Sequence, residues 1–515
     1  MAVYVLEFPV LLLSVGIPLV AALLSLVIGE RARPKLHAAL NGTSLLLSAL
    51  LILYAAFSAG LYGIAKDPMY WNIPGIGTFA FVLDPVVFPV AISIAAVTGM
   101  VAFYSEPYMD HRYKELEEEG VKAPGWGTYY FLYTLFALSM IGSVLTTNTI
   151  EFYIFLELTL IPSFLLIAFY GYGDRVRIAI LYLIWTHVGA LLFLVGALAV
   201  GSKVGFDFLN PVTCKPLLGL GEKALSGSML WAVLVVMTIG LLVKMAVFGV
   251  HIWLPYAHAE APTPISALLS PNLIGIGGLM LFRIVTTLFP SSFASFSVYL
   301  YGWAFLTMIY GGLMALVQTD FKRLLAYSSI SQMGYILLGL ASATDFGVSG
   351  AILHYLVHAF GKAVLFMVAG VLIATLHGLR QIPKMGGLAQ KMPYTAALAL
   401  LGFMHITGIP PTAGLWSEYL IVRGAIDRCL SEGSTFFIVT GVLLLIAIGL
   451  STAYAFLTMK RAFYGSLPDH LRSSHEAQEG LLVPIAVLAA LGILSFFLAS
   501  VFIDPLISYL HALHG

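Results

Sequence analysis

Apolar residues run along this chain in blocks of membrane length, separated by short clusters of charge, proline and glycine. About fourteen blocks can be marked, each near the ~20 residues a helix needs to cross a bilayer. Their centres fall near residues 18, 47, 92, 135, 161, 189, 239, 275, 306, 332, 361, 408, 447 and 493. Hydrocarbon offers the backbone no hydrogen-bond partner, so blocks of this length predict helices. No soluble domain, low-complexity tract or long linker interrupts them, and residues 1–515 read as one all-α, polytopic membrane domain. The first block, Phe8 to Ile28, is too long for a signal-peptide core and lacks a basic segment before it, which makes it a retained span.

The pattern is also informative where it fails. Within span 12 lies Gly408-Ile-Pro-Pro411-Thr-Ala-Gly414, and two consecutive prolines remove two backbone donors and favour a break. Unwound backbone at membrane depth is tolerated where it lines a cavity or is buried in protein. Gly249 gives a weaker signal of the same kind in span 7. A loose correspondence pairs spans 4–8 with spans 9–13, over residues 125–288 and 296–465. Inverted repeats in transporters produce such an arrangement, with ion sites near midplane on interrupted helices.

Composition agrees with the spans: 60% of residues are hydrophobic and 10% charged, against about 25% charged in soluble domains. A formal net charge of zero argues against nucleic acid as a partner. Cys214 and Cys429 lie far apart, without the spacing of an iron–sulfur, zinc or haem site. Sixteen of the 25 basic residues, from Arg31, Arg33 and Lys35 to Lys460, Arg461 and Arg472, fall in loops after odd-numbered spans. Seven fall on the other side. By the positive-inside rule the odd loops face the cytoplasm and both termini lie outside.

Four ionisable residues stand alone inside otherwise uncharged segments: Glu157, Lys244, Lys362 and Glu418. A charge near the bilayer centre costs roughly 2.5–3.5 kcal/mol on insertion-based scales, so each is a functional candidate. His354, His358 and Lys362 recur every four residues and share one helical face over roughly 12 Å. Neutral histidine both donates and accepts, which suits it to proton relay; no third ligand nearby supports a zinc pair instead. Glu157 and Lys244 have opposite charge and suit a pair across helices, in which distance tunes the lysine's hold on its proton. The plainer alternative is a static buried ion pair. His187, His251, His258 and His405 are further relay candidates, and each is also explained as a satisfied interior histidine. Arg283, near a helix end, is expected to snorkel.

Several stretches resemble the antiporter-like subunits of respiratory complex I, of Mrp-type cation/proton antiporters and of membrane-bound hydrogenases. They are Phe155-Leu-Glu157-Leu, Leu242-Val-Lys244-Met, His251-Ile-Trp-Leu-Pro-Tyr-Ala-His258, Ala261-Pro-Thr-Pro-Ile-Ser-Ala-Leu-Leu269, His358-Ala-Phe-Gly-Lys362, and the run Asp320-Phe-Lys-Arg-Leu-Leu-Ala-Tyr-Ser-Ser-Ile-Ser-Gln-Met-Gly334. The resemblance implies fourteen helices, two inverted five-helix repeats and broken helices 7 and 12. It also implies that Glu157, Lys244, Lys362 and Glu418 are the ion-translocating residues of helices 5, 7, 11 and 12. Two departures stand out. The family's helix 8 usually supplies Lys or His, whereas Ser270-Pro-Asn272 offers only Ser270 and Asn272 here. The family's Leu-Pro-Asp-Ala-His loop reads Leu254-Pro-Tyr256-Ala-His258.

The expected function is proton or Na⁺/H⁺ translocation within a complex I-related assembly, such as a membrane-bound hydrogenase or NADH dehydrogenase, in a prokaryotic cell membrane. Expected partners are other antiporter-like and small membrane subunits, together with peripheral redox subunits. This chain carries no redox motif, so iron–sulfur or NiFe centres are expected only in those partners. Alternatives are the D-type subunit of a stand-alone Mrp antiporter, a structural arm with a degenerate ion path, and a solute carrier.

Overall fold

A computed structural model describes residues 2–30 and 33–514; Arg31, counted above among the basic loop residues, lies outside them. Thirteen helices among the described residues are long and apolar enough to cross a membrane. Spans 1–6 are Val10–Ile28, Pro34–Ser58, Val87–Glu118, Trp126–Leu145, Thr149–Tyr170 and Arg175–Val204. Span 7 is Gly227–Met245 continued, after a break, by Trp253–Glu260. Spans 8–11 are Thr263–Thr286, Pro290–Val317, Phe321–Ala341 and Asp345–Thr375. Span 12 is divided into Pro393–Ile406 and Gly414–Glu432. Spans 13 and 14 are Ser434–Ala462 and Glu479–Phe497. An all-α polytopic membrane fold with spans 7 and 12 interrupted is therefore what the chain adopts.

Local chemistry starts the helices that matter most. The Asn148 side chain accepts the Ile150 and Glu151 amides to open span 5, Asp320 accepts the Arg323 amide in span 10, and Thr344 accepts the Gly347 amide in span 11. Proline occupies the first helical turn of spans 2, 9 and 12, where its missing N–H goes unneeded.

Span 7 ends because Ala246 and Gly249 take positive φ values of 54° and 89°. The freed backbone groups are taken up by side chains: the Trp253 indole donates to the Val243 carbonyl (3.0 Å), and the Trp303 indole donates to the Phe248 carbonyl (2.8 Å). In the break of span 12, Gly408 has φ 65°, and the Thr412 hydroxyl bonds back to the Met404 and Ile409 carbonyls.

Three features were not expected from the sequence. Span 8 contains two π-helical segments, Leu269–Leu273 and Leu281–Thr286. The loop between spans 2 and 3 forms short strands: Ile64–Lys66 pairs in parallel with Val3–Val5 and antiparallel with Val82–Leu83, and Trp71–Ile73 forms a hairpin with Gly77–Phe79. A further helix, Ala499–His514, follows span 14.

Span 11 is the centre of the molecule. It packs on spans 3, 8, 10, 12 and 14 and is wholly enclosed, whereas spans 6 and 13 turn many apolar side chains outward. The helix with the His-His-Lys row is thus the one most shielded from lipid.

Candidate functional site

Lys244 stands one residue before the end of the first half of span 7, only 4% exposed, and its ammonium donates to Thr159 Oγ1 of span 5 at 3.4 Å. Glu157, two residues earlier on span 5, bonds instead to His187 Nδ1 of span 6 at 3.1 Å. Among the described residues Glu157 and Lys244 form no direct ion pair, so the expected contact is open. The helix explains why. Positions two apart point about 200° from each other, so Thr159 meets span 7 while Glu157 meets span 6. Their exposure follows suit: 22% for the Glu157 side chain and 45% for that of His187.

At the centre, where a base from span 8 is missing, the π-helical turn supplies other polar groups. Ser270 Oγ lies 2.6 Å from Ser329 Oγ of span 10, and the Tyr355 hydroxyl donates to the Asn272 carbonyl at 2.5 Å. The Pro271 carbonyl faces the His358 imidazole. Both atoms of the Asn272 amide, and His358 Nε2, are buried without a protein partner. His258, from the second half of span 7, joins this cluster. It is fully buried, stacked on Phe366 at 4.8 Å, in the field of Lys322 and Lys362, and neither ring nitrogen has a protein partner. Buried polar atoms are normally satisfied, so this concentration of groups without a protein partner makes the centre of the molecule the candidate site.

Lys362 donates to the Leu325 carbonyl at 3.1 Å and to the Ser328 hydroxyl, both on span 10. Two turns before it, His354 Nε2 bonds Gln332 Oε1 at 2.8 Å and Nδ1 meets Ser417 Oγ at 3.0 Å; Gln332 in turn donates to the Tyr454 hydroxyl. Ser417 is next to Glu418, whose carboxylate packs against Gly408 at the break of span 12, with Oε1 shielded and unpartnered. A side chain at position 408 would meet Glu418 Oε2 at 2.5 Å, so the glycine makes room for the carboxylate.

The remaining relay candidates have other surroundings. His251 Nδ1 accepts the Gly249 amide and Nε2 meets the Tyr310 hydroxyl, each at 3.1 Å, which fastens the break of span 7 to span 9. His405 Nδ1 donates to the Leu401 carbonyl at 2.7 Å, and its ring fills the space beside Gly361 and Gly492. Arg283 does not snorkel. It is 5% exposed and held by Asp84 at 2.5 Å, because the start of span 3 places a buried carboxylate within its reach.

Loop charges that sequence reasoning treated only as markers of orientation also belong to the site. Lys322 is fully buried and donates to the Ala261 carbonyl at 2.5 Å. Arg112 is buried against the Tyr172 ring and paired with Glu115 and Glu119 at 3.0 and 2.9 Å. Arg380 bridges Asp320 and the Ala259 carbonyl. Arg112, Glu119, Tyr172, Glu260 and Arg380 line a polar cleft of about 590 Å³ on the odd-loop face, and Glu260 is two residues from His258. The position of Lys322 within the Asp320–Gly334 run was the available signal.

Residues 146–445 match the family described as "NADH:quinone oxidoreductase/Mrp antiporter, TM". The chain is 33% identical over 297 residues to NADH-quinone oxidoreductase subunit M of Rickettsia prowazekii, covering 58% of this chain and 59% of that one. It is 30% identical over 467 residues to NAD(P)H-quinone oxidoreductase chain 4 2 of Trichodesmium erythraeum, covering 89% and 79%. The match spans about three fifths of the length of the Rickettsia relatives. Among solved structures, a chain of respiratory complex I from Thermus thermophilus superposes with TM-score 0.80 at 25% identity, over 98% of this chain and 100% of that one. A chain of the Mrp complex from Dietzia sp. gives TM-score 0.82 at 18% identity, over 98% and 99%, a likeness of fold.

Proposed function

Since the chain belongs to the NADH:quinone oxidoreductase/Mrp antiporter family, we propose that it is an ion-translocating, antiporter-like subunit of a complex I-related membrane redox assembly. The observation that carries this reading is the polar line that joins the two broken helices, open at Glu157–His187 and largely enclosed from Lys244 onward. It runs from Glu157–His187 and Lys244–Thr159 through Ser270–Ser329, His258 and His358 to Lys362, His354 and Glu418. Protons (or Na⁺ at the entry) move along it in steps. When the Glu157 carboxylate leaves His187 and approaches Lys244, it stabilises the ammonium; when it returns, the desolvated lysine releases its proton toward the centre. His258, His358 and the span 8 carbonyls, with water, take the place of the absent helix 8 base. Glu418 exchanges with the far side through the break of span 12.

In this reading the redox centres sit in peripheral partner subunits, neighbouring antiporter-like subunits flank the chain, and both termini lie on the outer face of a prokaryotic cell membrane. The test is Lys244→Met in the assembled complex. Redox-driven ion pumping should fall severalfold while subunit composition is kept, and undiminished pumping by a fully assembled variant would overturn the proposal.

A further inference from the structure

Spacing puts His354, His358 and Lys362 in one row, but hydrogen bonds do not join it. Lys362 donates to span 10, and His358 Nε2 has no protein partner. Both nitrogens of His354 are committed elsewhere. Nδ1 meets Ser417 Oγ of span 12 at 3.0 Å, beside Glu418. Nε2 meets the Gln332 amide of span 10 at 2.8 Å, and the other end of that amide meets the Tyr454 hydroxyl of span 13 at 3.2 Å. The Tyr335 ring stacks on the imidazole at 5.6 Å and is tied in turn to Ser451 at 3.3 Å. Gln332, Tyr335, His354, Ser417 and Tyr454 are all wholly buried. Three neighbouring spans thus hold one ring of span 11.

The chemistry of the group on Nε2 decides what that ring can do. An imidazole relays by gaining a proton on one nitrogen while losing one from the other. A carboxyl, hydroxyl or water on Nε2 would pass a proton onward. A carboxamide does not: its oxygen only accepts, its NH₂ only donates, and neither end titrates. Both orientations of the Gln332 amide have the same consequence. With its oxygen toward the ring, it holds the Nε2 proton and hands it nowhere. With its NH₂ toward the ring, it fills the lone pair that an arriving proton needs. His354 therefore exchanges protons through Nδ1 alone, on the side of Ser417 and Glu418.

We propose that Gln332 is a positioning residue that insulates the two ends of the row. Its amide clamps His354 Nε2, so a proton at Lys362 cannot reach Glu418 until the amide turns away. Once it has turned, Nε2 gains a proton from the Lys362 ammonium as Nδ1 loses one toward Ser417 and the Glu418 carboxylate, a net movement of one proton. The clamp stops a gradient built by the complex from draining back along the row. This role rests on the reading of the row as the ion path.

The experiment measures passive proton leak: the decay of an imposed pH gradient across proteoliposomes that hold the whole complex, with its redox substrates withheld. Gln332→Glu keeps the shape of the side chain and replaces the amide by a group that passes protons. It should raise the leak per assembled complex severalfold, and the double variant Q332E/K362M should lose that rise. Should Gln332→Glu fail to assemble, Tyr454→Phe decides in its place. It removes only the hydroxyl that anchors the amide, and it should raise the leak by a route that Lys362→Met again closes. An amide that serves packing alone would lower the unfolding temperature in these variants and leave the leak at the wild-type level. No rise in leak, or a rise that persists with Lys362→Met, would overturn the proposal. Failure of the underlying reading shows separately, as an ion-to-electron ratio unchanged by Lys362→Met alone.

Discussion

Thr159 and Glu157 show how much a two-residue offset on one helix decides. The hydroxyl meets Lys244 and the carboxylate meets His187, so the acid and base expected to pair are separated by the geometry of span 5. Sequence located both charges, because an isolated charge in an apolar block is conspicuous. It could not locate their partners, because threonines such as Thr159 occur in any membrane helix and His187, though a relay candidate, carries no mark of which acid it meets. Arg283 was misread for a related reason: Asp84 lies 199 residues away, and nothing local announces it. Glycines make the most definite residue-level prediction. Gly408→Ala would place a Cβ at positive φ and 2.5 Å from Glu418 Oε2; strain of this kind costs about 1–3 kcal/mol. The variant should melt earlier and transport poorly, as measured by thermal unfolding in detergent and by ion flux. Gly492→Ala, with His405 Nε2 only 1.8 Å from the added carbon, should lose about 1–3 kcal/mol by overpacking. Because His405 has no bond to the row, whatever protein survives should keep its transport per assembled complex.

The interrupted helices differ in how far their sequence reveals them. Pro410 and Pro411 advertise the break of span 12, whereas that of span 7 depends on Ala246, a good helix former held at positive φ by its surroundings. The bonds from Trp253 to Val243 and from Trp303 to Phe248 provide that hold, and their partners become neighbours only after folding. Trp253→Phe should therefore cost about 1–3 kcal/mol, the penalty for an orphaned buried carbonyl. It should also displace Lys244, seen as earlier unfolding together with reduced ion flux. The π-turn of span 8 was not foreseen, although Pro271, which has no N–H to donate to the preceding turn, lies inside it. Its consequence is that backbone carbonyls of Pro271 and Asn272 stand where a charged side chain was expected. Asn272→Leu should remove two of the unpartnered polar atoms from the centre and slow transport with little loss of assembly, measured as flux per complex.

At the scale of the molecule, the pattern of apolar blocks foretold the layout well, because hydrocarbon restricts a chain to helices long enough to cross it. The fourteen spans follow from that constraint; the two breaks rest on local chemistry, the proline pair in span 12 and Ala246 in span 7. The order of enclosure did not, since spans 6, 11 and 13 are equally apolar on paper and only packing puts span 11 at the centre. The short strands of residues 64–83 and the final helix also depend on tertiary contacts. Orientation remains a proposal with a direct check: a cysteine at Ser473, in the loop after span 13, should react with an impermeant thiol reagent only in inverted vesicles. Reaction in right-side-out vesicles would reverse the assignment.

The central claim is that ions cross by way of the enclosed row on span 11. Its most direct test is the number of ions pumped per electron pair by the reconstituted complex carrying Lys362→Met. The account predicts a lower ion-to-electron ratio with the subunits and redox centres intact; an unchanged ratio in a fully assembled complex would contradict it.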